Sequence, residues 1–361
     1  MTLAQLTVLS VAFPFAPVGA DAVGGAEQVL TALDAALVRR GHQSLVVACE
    51  GSSPAGTLIS MPRLDPTEER AWADAHARCR AGIDSALARW PVDLVHMHGV
   101  DFHRYLPPPG RPVLATLHLP PAWYPASIFT PDRPRTWLNC VSATQRRACP
   151  FSPLAIPVIE NGVPEPPFTQ PPRRRGFALA LGRICPEKGF HLALDAARRA
   201  GVALLLAGDV FDFPAHRRYF EQMIVPRLDR LRRFIGPVGL RRKQRLLAGA
   251  SCLVVSSLVP ETSSLVAMEA LACGTPVVAL AAGALGEIVT HGTTGMLVGN
   301  VSELADALRA APALAGEACR AAGRRFSAER MAGDYLRMYR TIVADPDRLA
   351  PAALAPPANA A

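Results

Sequence analysis

The sequence predicts an α/β protein of two doubly wound, parallel-sheet domains that face each other across a cleft. Three observations carry this expectation. At 361 residues the chain is too long for one ordinary core and about right for two. Short apolar, partly β-branched runs alternate with longer amphipathic runs in both halves, the pattern of strands wrapped by helices. Between the halves, the segment Gly162 to Gly176 (GVPEPPFTQPPRRRG) carries prolines that interrupt regular structure and suit an exposed connection.

In the first half, Leu6 to Val11 reads as a strand, a loop carries Gly24 and Gly25, and the amphipathic stretch Glu27 to Arg40 is stopped by Gly41. Strands are expected at Ser44 to Ala48, Leu94 to Met97 and Val113 to Leu117, with a helix over Glu68 to Arg89. Past the connection the alternation restarts with strand Phe177 to Leu181, helix Phe190 to Ala200 and strand Ala203 to Ala207. A basic helical region to Arg233, strand Leu253 to Ser256, a helix to Cys273 and strand Pro276 to Ala279 follow. A last helical pattern, Ala328 to Val343, precedes a tail rich in Ala and Pro that reads as unstructured. The expected division is a first domain over 1–165, a linker over 166–176, a second domain over 177–327, a separate helix over 328–344 and a tail over 345–361.

Half the residues are hydrophobic and 19% are charged, enough apolar material for two cores. The formal net charge is +8, and its positive side is nearly all arginine: the only lysines are Lys188 and Lys243. Such a balance suits an anionic substrate, an anionic membrane face or nucleic acid. Eight cysteines without C-x-x-C spacing argue against a zinc site and a disulfide scaffold, and fit a reducing cytoplasm. The first 22 residues are apolar, but no Lys or Arg precedes Arg39, so they read as mature protein and not as a signal peptide. The most apolar region, Leu253 to Leu285, is broken by Glu261, Glu269, Gly274 and Pro276, which rules it out as a spanning helix.

Glu261-Thr-Ser-Ser-Leu-Val-Ala-Met-Glu269 puts two carboxylates eight residues apart behind a strand. With Thr262 or Ser263 as N-cap, Glu261 sits just before a helix and Glu269 in its second turn. If all eight steps were helical they would rise ~12 Å, enough to span two polar ends of one ligand, such as a sugar and a ribose. The free N–H groups of Ser263, Ser264 and Leu265 would point at phosphate or sugar oxygens. An isolated pair of this kind is more simply a solvated flank of an apolar helix, and the accompanying cations argue otherwise. Gly182-Arg183-Ile-Cys-Pro-Glu-Lys188-Gly189 follows a strand and sets Arg183 and Lys188 at the sheet's carboxyl edge. Two fixed cations there suit a diphosphate and can stabilise its developing charge without a metal.

These residues resemble glycosyltransferase family 4 (glycosyl transferases group 1), retaining enzymes with a glycine, arginine, lysine-glycine segment and an E-x7-E motif in the C-terminal domain. The likeness runs from Leu6 to about Val343 and includes Val158-Ile-Glu-Asn161-Gly162-Val, Leu206-Ala-Gly208-Asp and Phe234-Ile-Gly236-Pro237. Gly274-Thr-Pro276-Val-Val and Gly292-Thr-Thr-Gly295 resemble the strand and hairpin that follow the E-x7-E helix. The resemblance implies the GT-B fold: two Rossmann-like domains around a central cleft, with a C-terminal helix crossing back to the first. It implies transfer, with retention, from a UDP-glucose or GDP-mannose type of donor to a glycan, lipid-linked or small-molecule hydroxyl acceptor. Arg183 and Lys188 are then expected on the diphosphate, Glu261 on the sugar hydroxyls, Glu269 on the ribose and His118 near the reacting sugar. Gly24, Gly25, Pro237, Thr262, Ser263, Ser264 and Leu265 complete the implied donor site. Ser263 and Ser264 depart from the aromatic and glycine usual in the family, so a differently shaped sugar pocket is expected.

His96 and His98 form an H-x-H pair on one strand face; without a third ligand, a packed role is expected over a metal site. Pro120-Pro-Ala-Trp123-Tyr124 offers aromatic faces for the acceptor side. The only D-x-D, Asp345-Pro-Asp347, lies in the tail, and neither a catalytic metal nor a cofactor is expected. A glycosidase would place two carboxylates ~5 to 9.5 Å apart, but cations beside this pair favour transfer. A non-catalytic nucleotide-sugar-binding partner subunit is the alternative reading. The arginine-rich stretch Arg217 to Arg245 lacks interleaved aromatics in a recognisable binding module, so no nucleic-acid partner is expected, whereas the basic surface leaves peripheral contact with a membrane face open.

Overall fold

In the computed structural model, which describes residues 5–154, 156–168 and 174–344, the alternation of segments forms two six-stranded parallel sheets. The tail 345–361, with Asp345-Pro-Asp347, and linker residues 169–173 lie outside the described residues. The first half runs β1 (Thr7–Val11), α1 (Gly25–Arg39), β2 (Gln43–Cys49), β3 (Thr57–Met61), α2 (Glu69–Arg89), β4 (Leu94–Met97), β5 (Val113–Leu117), β6 (Thr136–Cys140) and α3 (Ala143–Ala148). The second half begins β7 (Phe177–Leu181), α4 (Phe190–Ala200), β8 (Ala203–Ala207), α5 (Pro214–Tyr219), β9 (Arg232–Phe234), α6 (Leu240–Gly249) and β10 (Cys252–Val255). It continues with α7 (Leu265–Ala272), β11 (Val277–Leu280), α8 (Leu285–Ile288), β12 (Gly295–Val298), α9 (Val301–Ala310) and α10 (Gly316–Gly323), and the chain's last helix is α11 (Ala328–Ala344).

The strand orders are β3-β2-β1-β4-β5-β6 and β12-β11-β10-β7-β8-β9, so each sheet grows one way from its first strand and then reverses. Helices cover both faces, which is why β1, β4 and β5 are buried along their whole length and are mostly apolar. The reversal opens a crevice beside β1 and β4 in one sheet and beside β7 and β10 in the other, at the carboxyl ends of the strands. No helix among the described residues is long and apolar enough to cross a membrane.

Four strands were not expected from the sequence: Thr57–Met61, Thr136–Cys140, Arg232–Phe234 and Gly295–Val298. The last pairs in parallel with β11 in place of the expected hairpin, the tight turn being confined to Thr290 through Gly295. The basic region expected to be helical to Arg233 is also broken. After α5 and a π turn over Phe220–Ile224, Pro226 sits in a 3-10 turn where it cannot continue the helix. Asp229 then accepts the N–H groups of Leu231 and Arg232 and turns the chain into β9.

Helix α11 crosses back onto the first sheet. Ala328, Ala332, Tyr335, Tyr339 and Ile342, at helical spacing, bury one face against Val29, Leu33 and Leu37 of α1 and Leu114 of β5. Its two tyrosines enter a sealed polar network beneath the cleft. Tyr339 Oη lies 2.6 Å from His96 Nδ1, and His96 Nε2 lies 2.7 Å from Thr116 Oγ1. Thr116 spends its one proton on Asn139 Oδ1, so His96 must donate from Nε2 and accept from Tyr339 at Nδ1. His96 thus has the packed role expected of the H-x-H pair. Tyr339→Phe leaves His96 Nδ1 buried without a donor and should cost about 1–3 kcal/mol of stability. Thermal unfolding reads this directly; an unchanged melting temperature contradicts the network.

Candidate active site

The residues singled out in the sequence converge on the carboxyl ends of the strands, where the sheet crevices meet. A roomier cavity of about 590 Å³ lies elsewhere, lined by Asp93, Arg111 and Arg135 at the amino ends of β4, β5 and β6, the end at which parallel sheets do not bind ligands.

Glu261 stands in the loop between β10 and α7. Residue 283 adopts φ +63°, and a Cβ there would lie 2.3 Å from Glu261 O, so only glycine lets this loop close against its neighbour. Ala284 N–H then donates to Glu261 O at 2.7 Å. Lys188 ends a 3-10 turn, Pro186–Lys188, whose following residue, Gly189, has φ +58° and would drive a Cβ to within 2.3 Å of Ser256 O. Ser256 Oγ donates to Lys188 O at 3.1 Å, stitching the two loops together. The result is an ion pair of 2.6 Å between Lys188 Nζ and Glu261 Oε1, with Ser257 Oγ also donating to that carboxylate.

The second glutamate has an equivalent partner that the sequence reading passed over. Glu269, in the second turn of α7 as expected, is 7% exposed and pairs at 2.5 Å with Lys243 Nζ of α6. Lys243 also donates to Gln28 Oε1 of α1 at 3.2 Å, which carries the pair across the cleft. The two lysines of an otherwise arginine-based chain therefore serve the two glutamates of one motif. Burial pushes the Glu269 carboxyl up, and the Lys243 charge opposes that rise. The signal for Lys243 was its rarity.

The N-cap of α7 is Ser264, one or two residues later than expected. Thr262 is occupied otherwise, donating its hydroxyl to His118 O at 2.9 Å across the cleft, and Ser263 Oγ is buried without a partner. Ala267 and Met268 both direct their N–H groups to Ser264 O, leaving those of Leu265 and Val266 as the free first-turn donors among the described residues.

His118 follows β5, and burial pushes its imidazole down to about 4, so it is neutral at pH 7. Its Nε2 is 3.1 Å from His98 Nδ1, and its backbone N–H donates to Tyr124 Oη at 3.0 Å. Tyr124 is therefore a buried support of the His118 loop, whereas Trp123 is 58% exposed. Arg183 is exposed past β7, with its guanidinium over the Phe211 ring at 5.5 Å and no ion pair among the described residues. Pro237 is exposed beyond β9. Gly24 is the N-cap of α1, and a Cβ there would strike Glu27 Oε2, while Gly25 faces Leu265 Cδ1 across the cleft. Glu27 also escaped the sequence reading. It is 5% exposed, and burial pushes its carboxyl up to about 6, against the lowering effects of its own backbone N–H and of Arg183.

Two family models match the chain: Glycosyltransferase Family 4 over residues 23–165 and Glycosyl transferases group 1 over residues 176–311. A glycogen synthase of Mycobacterium tuberculosis is 28% identical over 90% of this chain and 91% of its own. A phosphatidyl-myo-inositol mannosyltransferase of Mycobacterium leprae is 26% identical over 90% and 95%. Among solved structures, AviGT4, a glycosyltransferase involved in avilamycin A biosynthesis, superposes with a TM-score of 0.70 at 26% identity, covering 94% of this chain and 99% of that one. The architecture is that of GT-B proteins.

Removing Lys243 strands a buried carboxylate, so Lys243→Ala should lose about 3–5 kcal/mol at pH 7. The loss should shrink as pH falls and Glu269, its carboxyl raised by burial, protonates; melting curves lowered equally at neutral and acid pH contradict the pairing. Glu27 titrates at about 6 folded against 4.5 for the free side chain. Its contribution favours folding most below pH 4.5 and is lost as pH rises through 6. Glu27→Gln should therefore stabilise the chain by up to about 2 kcal/mol at pH 7.5 and give no such gain at pH 4. Equal effects at the two pH values in thermal unfolding contradict this.

Proposed function

The chain belongs to glycosyltransferase family 4, and on that premise we propose that it transfers a hexosyl group, with retention, from a UDP-glucose or GDP-mannose type of donor to a hydroxyl acceptor. The observation that carries this reading is the pairing of the chain's two lysines with the two glutamates of the E-x7-E segment, at a cleft whose opposite wall holds His118.

Lys188 is a compact ammonium that can change partners. When a diphosphate enters, Lys188 turns from Glu261 to a phosphate oxygen, and Glu261 is released to accept hydrogen bonds from the sugar hydroxyls. Arg183, which has no ion pair among the described residues, adds a second cation. The N–H groups of Leu265 and Val266 and the unpartnered Ser263 hydroxyl supply neutral donors at the same place. Ser263 thus gives the departure from the family pattern a use. Glu269, oriented by Lys243 and Gln28, takes the ribose hydroxyls.

His118, neutral and with Nδ1 open, hydrogen-bonds the donor sugar and does not act as a general base. As the bond from the anomeric carbon to the phosphate oxygen breaks, the acceptor oxygen attacks from the same face and its proton passes to the departing oxygen. No protein nucleophile is used. Two cations balance the charge of the leaving group, and the reaction proceeds without a catalytic metal. The relatives' names include glycogen and phosphatidyl-myo-inositol, which supports a hydroxyl acceptor without narrowing its class. The exposed Trp123 ring offers that acceptor a stacking face.

A thermal-shift screen against UDP, GDP, ADP and their sugar conjugates, in chelator, tests the reading. One base family should stabilise the chain, and Lys188→Ala and Glu269→Ala should each abolish the shift; no shift by any of them contradicts it. With the donor identified, Lys188→Ala should lower kcat about 10²–10³-fold. A variant that keeps full turnover contradicts the assigned role.

A further inference from the structure

Beside the Lys188 loop lies a cluster that sugar transfer does not use. Cys185, Glu187 and His216 bring a thiol sulfur, a carboxylate oxygen and an imidazole nitrogen within 4.8 Å of one another. Cys185 and Glu187 flank Pro186 at the 3-10 turn after β7, and His216 comes from α5, 31 residues past Cys185, so no short motif announces the grouping. Burial, with the Glu187 carboxylate close by, pushes the Cys185 thiol up. Cys185 is 1% exposed, and His216 Nδ1 is sealed from solvent with no hydrogen-bond partner among the described residues, the rings of Phe211 and Phe213 lying 6.2 and 5.2 Å from its own. A ring nitrogen left in that state signals a missing partner.

We propose that Cys185, Glu187 and His216 bind a zinc-like divalent transition-metal ion that clasps the Arg183–Lys188 loop to α5. The donor set decides the class of ion. Calcium and magnesium take oxygen ligands, whereas thiolate with imidazole selects zinc and its neighbours. Zinc holds sulfur at about 2.3 Å and nitrogen or oxygen at about 2.0–2.2 Å, so the three ligand atoms must draw together slightly. Glu187 is exposed and free to make that adjustment. Binding expels the thiol proton to solvent, and the thiolate and carboxylate then match the ion's two positive charges beside the Arg183 guanidinium. Three protein ligands leave the fourth position to water. The ion acts on the reaction only through the loop it holds, so this site stands apart from the metal-free transfer chemistry.

The test is a cobalt titration of the full chain after chelator treatment. One cobalt ion per chain should bind and give a thiolate-to-cobalt absorption band. The band should vanish in Cys185→Ser, weaken in Glu187→Gln and persist in Cys273→Ser. Zinc affinity, read by competition with a chromogenic chelator, should fall at least about 10–100-fold in His216→Ala. Circular dichroism and thermal unfolding in chelator, which need neither ion nor nucleotide, establish that each variant is folded. A folded chain that binds no cobalt, or a band that survives in Cys185→Ser, overturns the proposal. Nucleotide binding is measured separately, so failure here leaves the donor-site reading untouched, and the reverse also holds.

Discussion

A carboxylate taken out of water must find a cation, and the cleft is organised around two that have done so. Glu261 and Glu269 lie at the entry and second turn of one helix, largely removed from solvent, and each rests on a lysine. The chemistry explains the choice of residue. Arginine coats this protein and suits fixed, planar recognition, whereas an ammonium on a flexible stem can be handed from a carboxylate to an incoming phosphate. Before donor binding the ion pairs hold the glutamates in place, and the same lysines are then the first groups an anionic ligand meets.

The scaffold serves this arrangement at each level. The two sheets share one strand order, and each reverses where its loops must part, so the motif residues gather at the carboxyl ends of the strands. Glycines at 189 and 283 let the Lys188 and Glu261 loops close on their neighbours at distances a side chain would forbid. On the opposite wall, α11 reaches under the cleft: its Tyr339 fixes the tautomer of His96, whose ring packs 4.0 Å from that of His98, which in turn bonds His118. Several contacts that join the two halves across the cleft are polar, among them Thr262 to His118, Lys243 to Gln28 and Leu240 to Asp21. Contacts of this kind can be broken and remade, which suits a cleft that admits one substrate and later releases a product.

The sequence made the fold legible wherever burial on both faces produced a continuous apolar run. Leu94–Met97, Val113–Leu117, Phe177–Leu181 and Ala203–Ala207 lie where the pattern sets them. Strands at the edges carry weaker marks: Thr57–Met61 is partly exposed, Arg232–Phe234 has two arginines, and Thr136–Cys140 hides a polar Asn139 in its centre. The motif residues were legible because glutamate and lysine are rare next to apolar strands. Lys243 and Glu27 were not, because what makes them notable is burial among groups distant in sequence: 26 residues separate Lys243 from Glu269, and the Glu27 carboxyl feels the charge of Arg183 in the other half. The shifted N-cap has the same origin, since Thr262 spends its hydroxyl on a contact in the opposite domain and so cannot cap its own helix.

Having two lysines, the chain offers an unusually direct view of its own site. Protein labelled with ¹³C and ¹⁵N at lysine alone should give two side-chain signals, one for each motif glutamate. Titration with the nucleotide diphosphate that stabilises the chain should move both, Lys188 as its ammonium passes from Glu261 to phosphate and Lys243 as Glu269 engages the ribose; the nucleoside alone should move chiefly Lys243. Saturating nucleotide binding that leaves both signals where they stand in the free protein would contradict the account at its centre.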